Sequence, residues 1–263
     1  MSKKITISGI KKRKGALPLV MITAYDALFA KLLAPSADMI LVGDSLNMSF
    51  AGKDDTISAT LDQMIYHTNA VSAGAPESFI ICDMPFGTYV NAEKALENSI
   101  KVFQQTRADC VKIEGGEDKA KIVKHLTDNA IAVCGHIGLL PQSVRSEGGY
   151  KVKGKTEDEK CQLIKDAKAI EAAGAFCMVI EGVKSDVAKE VSQSVSIPVI
   201  GIGAGKDVDG QVLVFSDMLG LFEAFTPKFV KKYIDGASLV KDAVSNYADE
   251  VQKREFPSEI HTY

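Results

Sequence analysis

Acidic residues recur in one kind of place along this chain, at the ends of short apolar runs. Asp44 follows "ILVG", Asp83 follows "FIIC", Glu114 closes "CVKIE" and Glu181 closes "CMVIE". Lys112 stands two residues before Glu114, Ser45 directly follows Asp44, and His136 follows "AVCG". Residues two apart in a strand share a face, so Lys112 and Glu114 leave their run on the same side. Gathered charges cost several kcal/mol each when buried, unless they are paired or bound to a metal. Hard carboxylate oxygens suit Mg²⁺, and no His/Cys set with zinc spacing is present. Mg²⁺ leaves positions open for a chelating acid, and Lys112 adds a positive charge for an anion. Such a group is equipped to polarise an oxoacid. Taken singly, each residue has a plainer role. An Asp after a strand usually caps a helix. Lys112 and Glu114 make an ordinary rim salt bridge, and a lone histidine is usually a satisfied core residue. Recurrence at one level is what favours chemistry.

The elements that must hold these residues alternate regularly. Eight apolar runs, from "LPLVMITA" to "QVLVFSD", are separated or followed by amphipathic segments. They read as eight βα units. Helices are expected over about 61–73, 92–105, 119–128 and 164–173, with a helical tail near 228–253. Continuous apolar strands alternating with helices imply a parallel sheet covered on both faces. Eight units in about 250 residues imply a closed (β/α)8 TIM barrel. The rival is an open doubly wound sheet. Its dinucleotide fingerprint is missing, since "GIGAG" follows the seventh run rather than the first. The expectation is a single barrel domain over residues 1–263 with a helical C-terminal tail. In such a barrel the site lies at the carboxyl ends of the strands. Strand parity pairs Val42 with Asp44, Ile81 with Asp83, Cys134 with His136 and Val179 with Glu181. Each polar residue is thus expected to point inward above an apolar one. A polar stretch, Gln142 to Asp158, reads as an insertion that forms a lid or a subunit contact.

Composition narrows the function classes. Lys plus Arg is 31 and Asp plus Glu is 34, a net charge of −3. That balance gives no reason to expect nucleic-acid binding. No apolar run approaches the ~20 residues of a membrane span. The basic N-terminus lacks the apolar stretch of a signal peptide. Five cysteines carry no C-x-x-C pair, and four of them, Cys82, Cys110, Cys134 and Cys177, sit in strand-like runs. Buried thiols in a reducing compartment, the cytoplasm, are expected.

"LVGDSLNM", "CDMPFGTY", "CVKIEGGE", "VCGHIGLLPQSV", "GGYKVKGK", "IPVIGIGAG" and "DGQVLVFSDMLG" resemble, in order and over essentially the whole chain, the ketopantoate hydroxymethyltransferase family. The resemblance implies a barrel of the phosphoenolpyruvate/pyruvate superfamily, one Mg²⁺ per subunit and a homodecamer. It implies transfer of a one-carbon unit from 5,10-methylenetetrahydrofolate to 3-methyl-2-oxobutanoate through an enolate. Ketopantoate for pantothenate and coenzyme A would be the product. Asp44, Asp83 and Glu114 would be the metal ligands or lie in the metal's immediate shell. Asp44, Ser45, Asp83, Lys112 and His136 would contact the oxo acid, and Glu181 would be the general base. His136 competes for that last role, because its ordinary pKa of about 6.5 suits proton transfer. Two positions depart from the family pattern: Asn47 stands where Gly is common, and Ser216 where His is common. The alternatives are another Mg²⁺-dependent carbon–carbon lyase or transferase of this superfamily acting on a 2-oxo acid, and a non-catalytic metabolite-binding barrel.

Overall fold

In the computed structural model, which describes residues 4–223 and 225–263, eight strands form a closed parallel barrel in sequence order. They are β1 (Leu19–Thr23), β2 (Met39–Val42), β3 (Phe79–Asp83), β4 (Cys110–Glu114), β5 (Val133–Gly138), β6 (Cys177–Glu181), β7 (Val199–Ile202) and β8 (Gly210–Leu213). β8 pairs back onto β1 and closes the ring. The longer helices are α1 (Ile7–Lys11), α2 (Ala27–Leu33), α3 (Leu61–Gly74), α4 (Ala92–Gln105), α5 (Ala120–Asp128), α6 (Glu157–Ala172), α7 (Ser185–Gln193) and α8 (Gly236–Gln252). Local sequence sets their starts. Thr60 and Gln63 form a reciprocal capping box on α3, and Asn91 and Thr156 cap α4 and α6.

Alternate strand residues fill the interior: Met39 and Leu41 of β2, Phe79 and Ile81 of β3, Cys110 of β4, Cys134 of β5, Cys177 and Val179 of β6. Ile10 of α1, fully buried, joins the same cluster. The basic N-terminal segment therefore contributes to the barrel core. Its Lys14 reaches Asp209 at 2.8 Å. Cys82, Cys110, Cys134 and Cys177 are buried free thiols, while Cys161 is exposed. Among the described residues no helix is long and apolar enough to cross a membrane.

The chain divides into two compact units, one ending at Val214 and one running from Phe215 to Tyr263. The second contains a helical turn, Phe215–Met218, and α8. α8 begins at Gly236 rather than near residue 228. Asp235 caps it by accepting from Ser238 N, and Gly236 N donates to Leu219 O at 2.9 Å, which ties the start in place.

Two further expectations change. Residues 203–209 between β7 and β8 contain no helix, so the seventh βα unit lacks one. Gly205 there lies against α7, where a Cβ would come within 2.4 Å of Ser185 Cβ. Gly205 thus serves close packing. The stretch from Gln142 is no uniform polar insertion either. It opens with helical turns, Pro141–Ser143 and Val144–Glu147, and ends in the first turn of α6.

Candidate active site

At the carboxyl end of the barrel, β3, β4, β5 and β6 deliver Asp83, Lys112 with Glu114, His136, and Glu181 from their inward faces. The register sets Asp83 beside Lys112 and Glu114 beside His136. Asp44 arrives differently. The inward face of β2 is Met39 and Leu41, so strand parity would turn Asp44 outward. The strand ends at Val42, and the turn that follows brings Asp44 in, with its backbone N donating to Asp83 Oδ2 at 3.0 Å. Gly43 makes this possible, since a Cβ there would meet Ser45 Oγ at 3.0 Å and Asp83 Oδ2 at 3.5 Å. On the far side Gly115, at φ +124, turns the chain out of β4 while its N still donates to His136 O.

Asp44, Asp83, Lys112, Glu114 and His136 are all buried. Lys112 Nζ lies 2.7 Å from Asp83 Oδ1 and 3.9 Å from Glu114 Oε1. Burial opposes its charge, but Asp83, Glu114 and Asp44 outweigh burial and keep it protonated. Asp44 is pushed well above its ordinary value, by burial first and then by repulsion from Asp83 and Glu114. Asp83 is raised too, chiefly by burial, with Lys112 acting against the rise. Were all three carboxylates ionised, one ammonium would leave two negative charges uncompensated, and this repulsion is part of what raises Asp44.

His136 Nδ1 lies 2.9 Å from Lys112 Nζ, and its Nε2 lies 3.3 Å from Glu181 Oε2. Two influences on its charge conflict. Burial and Lys112 push the ring pKa down, while Glu114 and Glu181 push it up and prevail, to about 9. The Lys112 contact, by contrast, requires an unprotonated Nδ1. The contact decides, because an ammonium and an N–H cannot face each other at that distance without an acceptor between them. The 2.9 Å contact favours an Nδ1 that accepts from Lys112, while Nε2 lies near Glu181 without a hydrogen bond to it. Glu181 itself is the least buried of the group, its side chain 18% exposed.

Ser45 Oγ shares a 2.8 Å hydrogen bond with Tyr25 OH. Asn47 is buried away from the acids and donates to Asp55 O and Ser58 Oγ, pinning the loop after β2. Ser216 is buried in the second unit, and its Oγ has no hydrogen-bond partner.

The residue that sequence reasoning missed is Gln142. Its Nε2 donates to Asp44 Oδ2 at 2.8 Å and to Met84 O at 3.0 Å, and its backbone N donates to Glu114 Oε2 at 3.1 Å. Its Oε1 accepts from Tyr89 OH. One neutral residue, through its side-chain amide and its backbone N–H, thus ties Asp44 to Glu114. A neutral amide escapes a search made for ionisable groups. Its place just past β5, at the level of the acids, was the available signal.

Among the described residues, no three His, Cys, Asp or Glu side chains converge into a ready metal cage. Mg²⁺ does not require one, because it commonly takes one or two carboxylates and fills its sphere with water and substrate oxygens. Asp83 Oδ1 and Glu114 Oε1 are buried without a hydrogen bond. Asp83 Oδ1 faces Lys112 at ion-pair distance only. Uncompensated charge and unsatisfied hard oxygens fit a divalent cation.

The barrel fold is shared with solved structures of low sequence identity, one of them a PEP mutase/isocitrate lyase superfamily member. A 2,3-dimethylmalate lyase of that superfamily superposes with a TM-score of 0.57 at 15% identity, covering 100% of this chain and 92% of that one. A phosphonopyruvate hydrolase in complex with oxalate and Mg²⁺ superposes with a TM-score of 0.64 at 13% identity, covering 97% and 90%. Residues 4–259 match the family model for ketopantoate hydroxymethyltransferase, and the chain belongs to that family. It is 78% identical over 263 residues, all of both chains, to the 3-methyl-2-oxobutanoate hydroxymethyltransferase of Sulfurimonas denitrificans.

Proposed function

We propose that this barrel mouth performs the family's one-carbon transfer, with Glu181 as the base and the Asp44–Asp83–Lys112 group as the holder of the oxo acid. The chain is a hydroxymethyltransferase that converts 3-methyl-2-oxobutanoate to ketopantoate for pantothenate synthesis. Its co-substrate is methylenetetrahydrofolate. The observation that carries the division of labour is the unequal burial of the site. Glu181 stands at the accessible edge, while the other acids sit beneath it, locked to Lys112 and Gln142.

Asp44 and Asp83, with Glu114 acting through water, would hold Mg²⁺, which when bound supplies Lewis-acid polarisation of the oxo acid carbonyl. The Mg²⁺ in the related hydrolase structure supports this reading by analogy of fold. Lys112 meets the substrate carboxylate, and Ser45, anchored on Tyr25, donates beside it. His136 stands beside Glu181, its Nε2 3.3 Å from Glu181 Oε2, and limits where that carboxylate can lie. Glu181 removes the proton from the branched carbon. The electron pair left on that carbon then forms the new bond to the methylene carbon, whose bonds to the folate nitrogens break. Water supplies the product hydroxyl, and the nitrogens take up the protons.

The chain is read as a homo-oligomer, a decamer by family resemblance. Exposed apolar side chains on α2, Leu28 and Leu32, and on α8, Leu239, Val244 and Tyr247, support assembly. A cytoplasmic location accords with the free thiols.

The test is exchange of the branched-carbon proton into deuterated water, with Mg²⁺ and without folate. Glu181→Gln should lower exchange by roughly 10²–10⁴-fold while still binding the oxo acid, and His136→Gln should slow it less. Exchange that survives Glu181→Gln and is lost in His136→Gln would reverse the assignment.

A further inference from the structure

The acid cluster is too enclosed to admit a folate. The bulky co-substrate must sit beside the barrel mouth and project only its one-carbon unit inward. Two cavities are candidates. The larger, about 450 Å³, lies between α5 and α6 and is lined by alanines and solvated charged side chains, far from any reacting group. The other, about 330 Å³, is walled by the loops after β3, β4 and β5 and includes Glu114 and Gln142. It therefore shares its inner wall with the acid site. That adjacency outweighs the difference in size.

We infer that this second cavity holds the pterin ring of methylenetetrahydrofolate; the inference rests on the one-carbon transfer proposed above. The lining supplies what a flat, donor-edged heterocycle needs. Phe86 and Val90 line it and are 54% and 71% exposed. An exposed aromatic ring offers a stacking surface for a planar heterocycle. Asp118 lies in the same wall, and a carboxylate accepts from two parallel N–H donors such as a pterin's ring N–H and amino group. With the amino edge at Asp118, the opposite edge, which carries the one-carbon unit, turns toward Glu114 and Gln142.

The experiment uses the full-length enzyme and two readouts, calorimetric binding of tetrahydrofolate and folate-free deuterium exchange into 3-methyl-2-oxobutanoate. Phe86→Ala should weaken tetrahydrofolate binding roughly 10-fold, the usual scale of one lost stacking partner. Ser143→Phe, which fills the cavity, should weaken it at least as much. Exchange should stay within about two-fold of the parent in both variants, because neither touches the acids. Unchanged tetrahydrofolate binding in both variants would overturn the assignment. So would a fall in exchange matching the fall in binding, which would place the cavity on the oxo acid side. A parent enzyme that binds tetrahydrofolate but exchanges no deuterium would instead overturn the proposed base chemistry and leave the cavity assignment standing.

Discussion

Each end of the barrel holds a buried aspartate paired with a lysine, and the two pairs differ in completeness. At the amino end, Asp209 accepts from Gly15 N on one oxygen and from Lys14 Nζ, Ser192 Oγ and Val199 N on the other. Burial opposes its charge, but these donors outweigh burial and hold its pKa below the ordinary value. At the carboxyl end, Asp83 pairs with Lys112 at 2.7 Å, yet Asp83 and Asp44 are both raised. One Asp–Lys pair is a finished structural staple. In the other, the acids outnumber the positive charge that faces them. Buried charge alone does not mark function, but buried charge left short of partners does.

Substitution should separate the two ends most sharply. Asp44→Asn and Asp83→Asn should each lower turnover at least 100-fold. In cation-free buffer Asp44→Asn should cost little stability, because burial and the neighbouring acids already disfavour a charge there. Asp209→Asn should do the reverse, costing about 3 kcal/mol in denaturant unfolding with turnover per folded molecule unchanged. Equal stability losses at both ends would erase the distinction.

Gln142 bridges the site and the scaffold, so its variants grade the effect. Gln142→Ala leaves buried acceptors on Asp44 and Met84 unpaired, a loss of about 1–3 kcal/mol. Gln142→Glu keeps the shape but adds a further carboxylate beside Asp44, and should lower turnover more than Gln142→Ala. Kinetics in which Gln142→Glu outperforms Gln142→Ala would contradict the charge argument.

The smallest effect is on pH dependence, where the two ends have opposite sign. The folded-state pKa of Asp209 is depressed, so its contribution is present above its ordinary value of 3.8 and is lost as pH falls through the folded pKa. That of Asp44 is raised, so cation-free protein binds a proton there that the unfolded chain has released. Its contribution is fullest below 3.8 and fades as pH rises toward the folded value. In chelator, Asp44→Asn should flatten the loss of stability above about pH 4, and Asp209→Asn the loss below it. Melting curves across pH check both slopes, and parallel curves for the parent and both variants would refute them.

Much of this was legible in the sequence. The apolar runs locate all eight strands, because a strand buried on both faces leaves a continuous signature. Asp83, Lys112, Glu114, His136 and Glu181 follow from strand parity, which the closed barrel enforces. Asp44 does not. It lies past the strand end, where the pleat no longer dictates direction, and a glycine turn brings it in. Gln142 was hidden because its importance comes from its hydrogen bonds, which a sequence does not display. The missing helix between β7 and β8 was obscured by an expectation of uniform repeats.

If the carboxyl end carries a deficit of positive charge that a divalent cation would make good, calorimetric titration of Mg²⁺ into chelator-stripped protein at pH 8, without substrates, should detect it. One Mg²⁺ per chain should bind, abolished by Asp44→Asn or Asp83→Asn and retained in Asp209→Asn. Absence of binding, or binding that survives in the Asp44 and Asp83 variants, would contradict it.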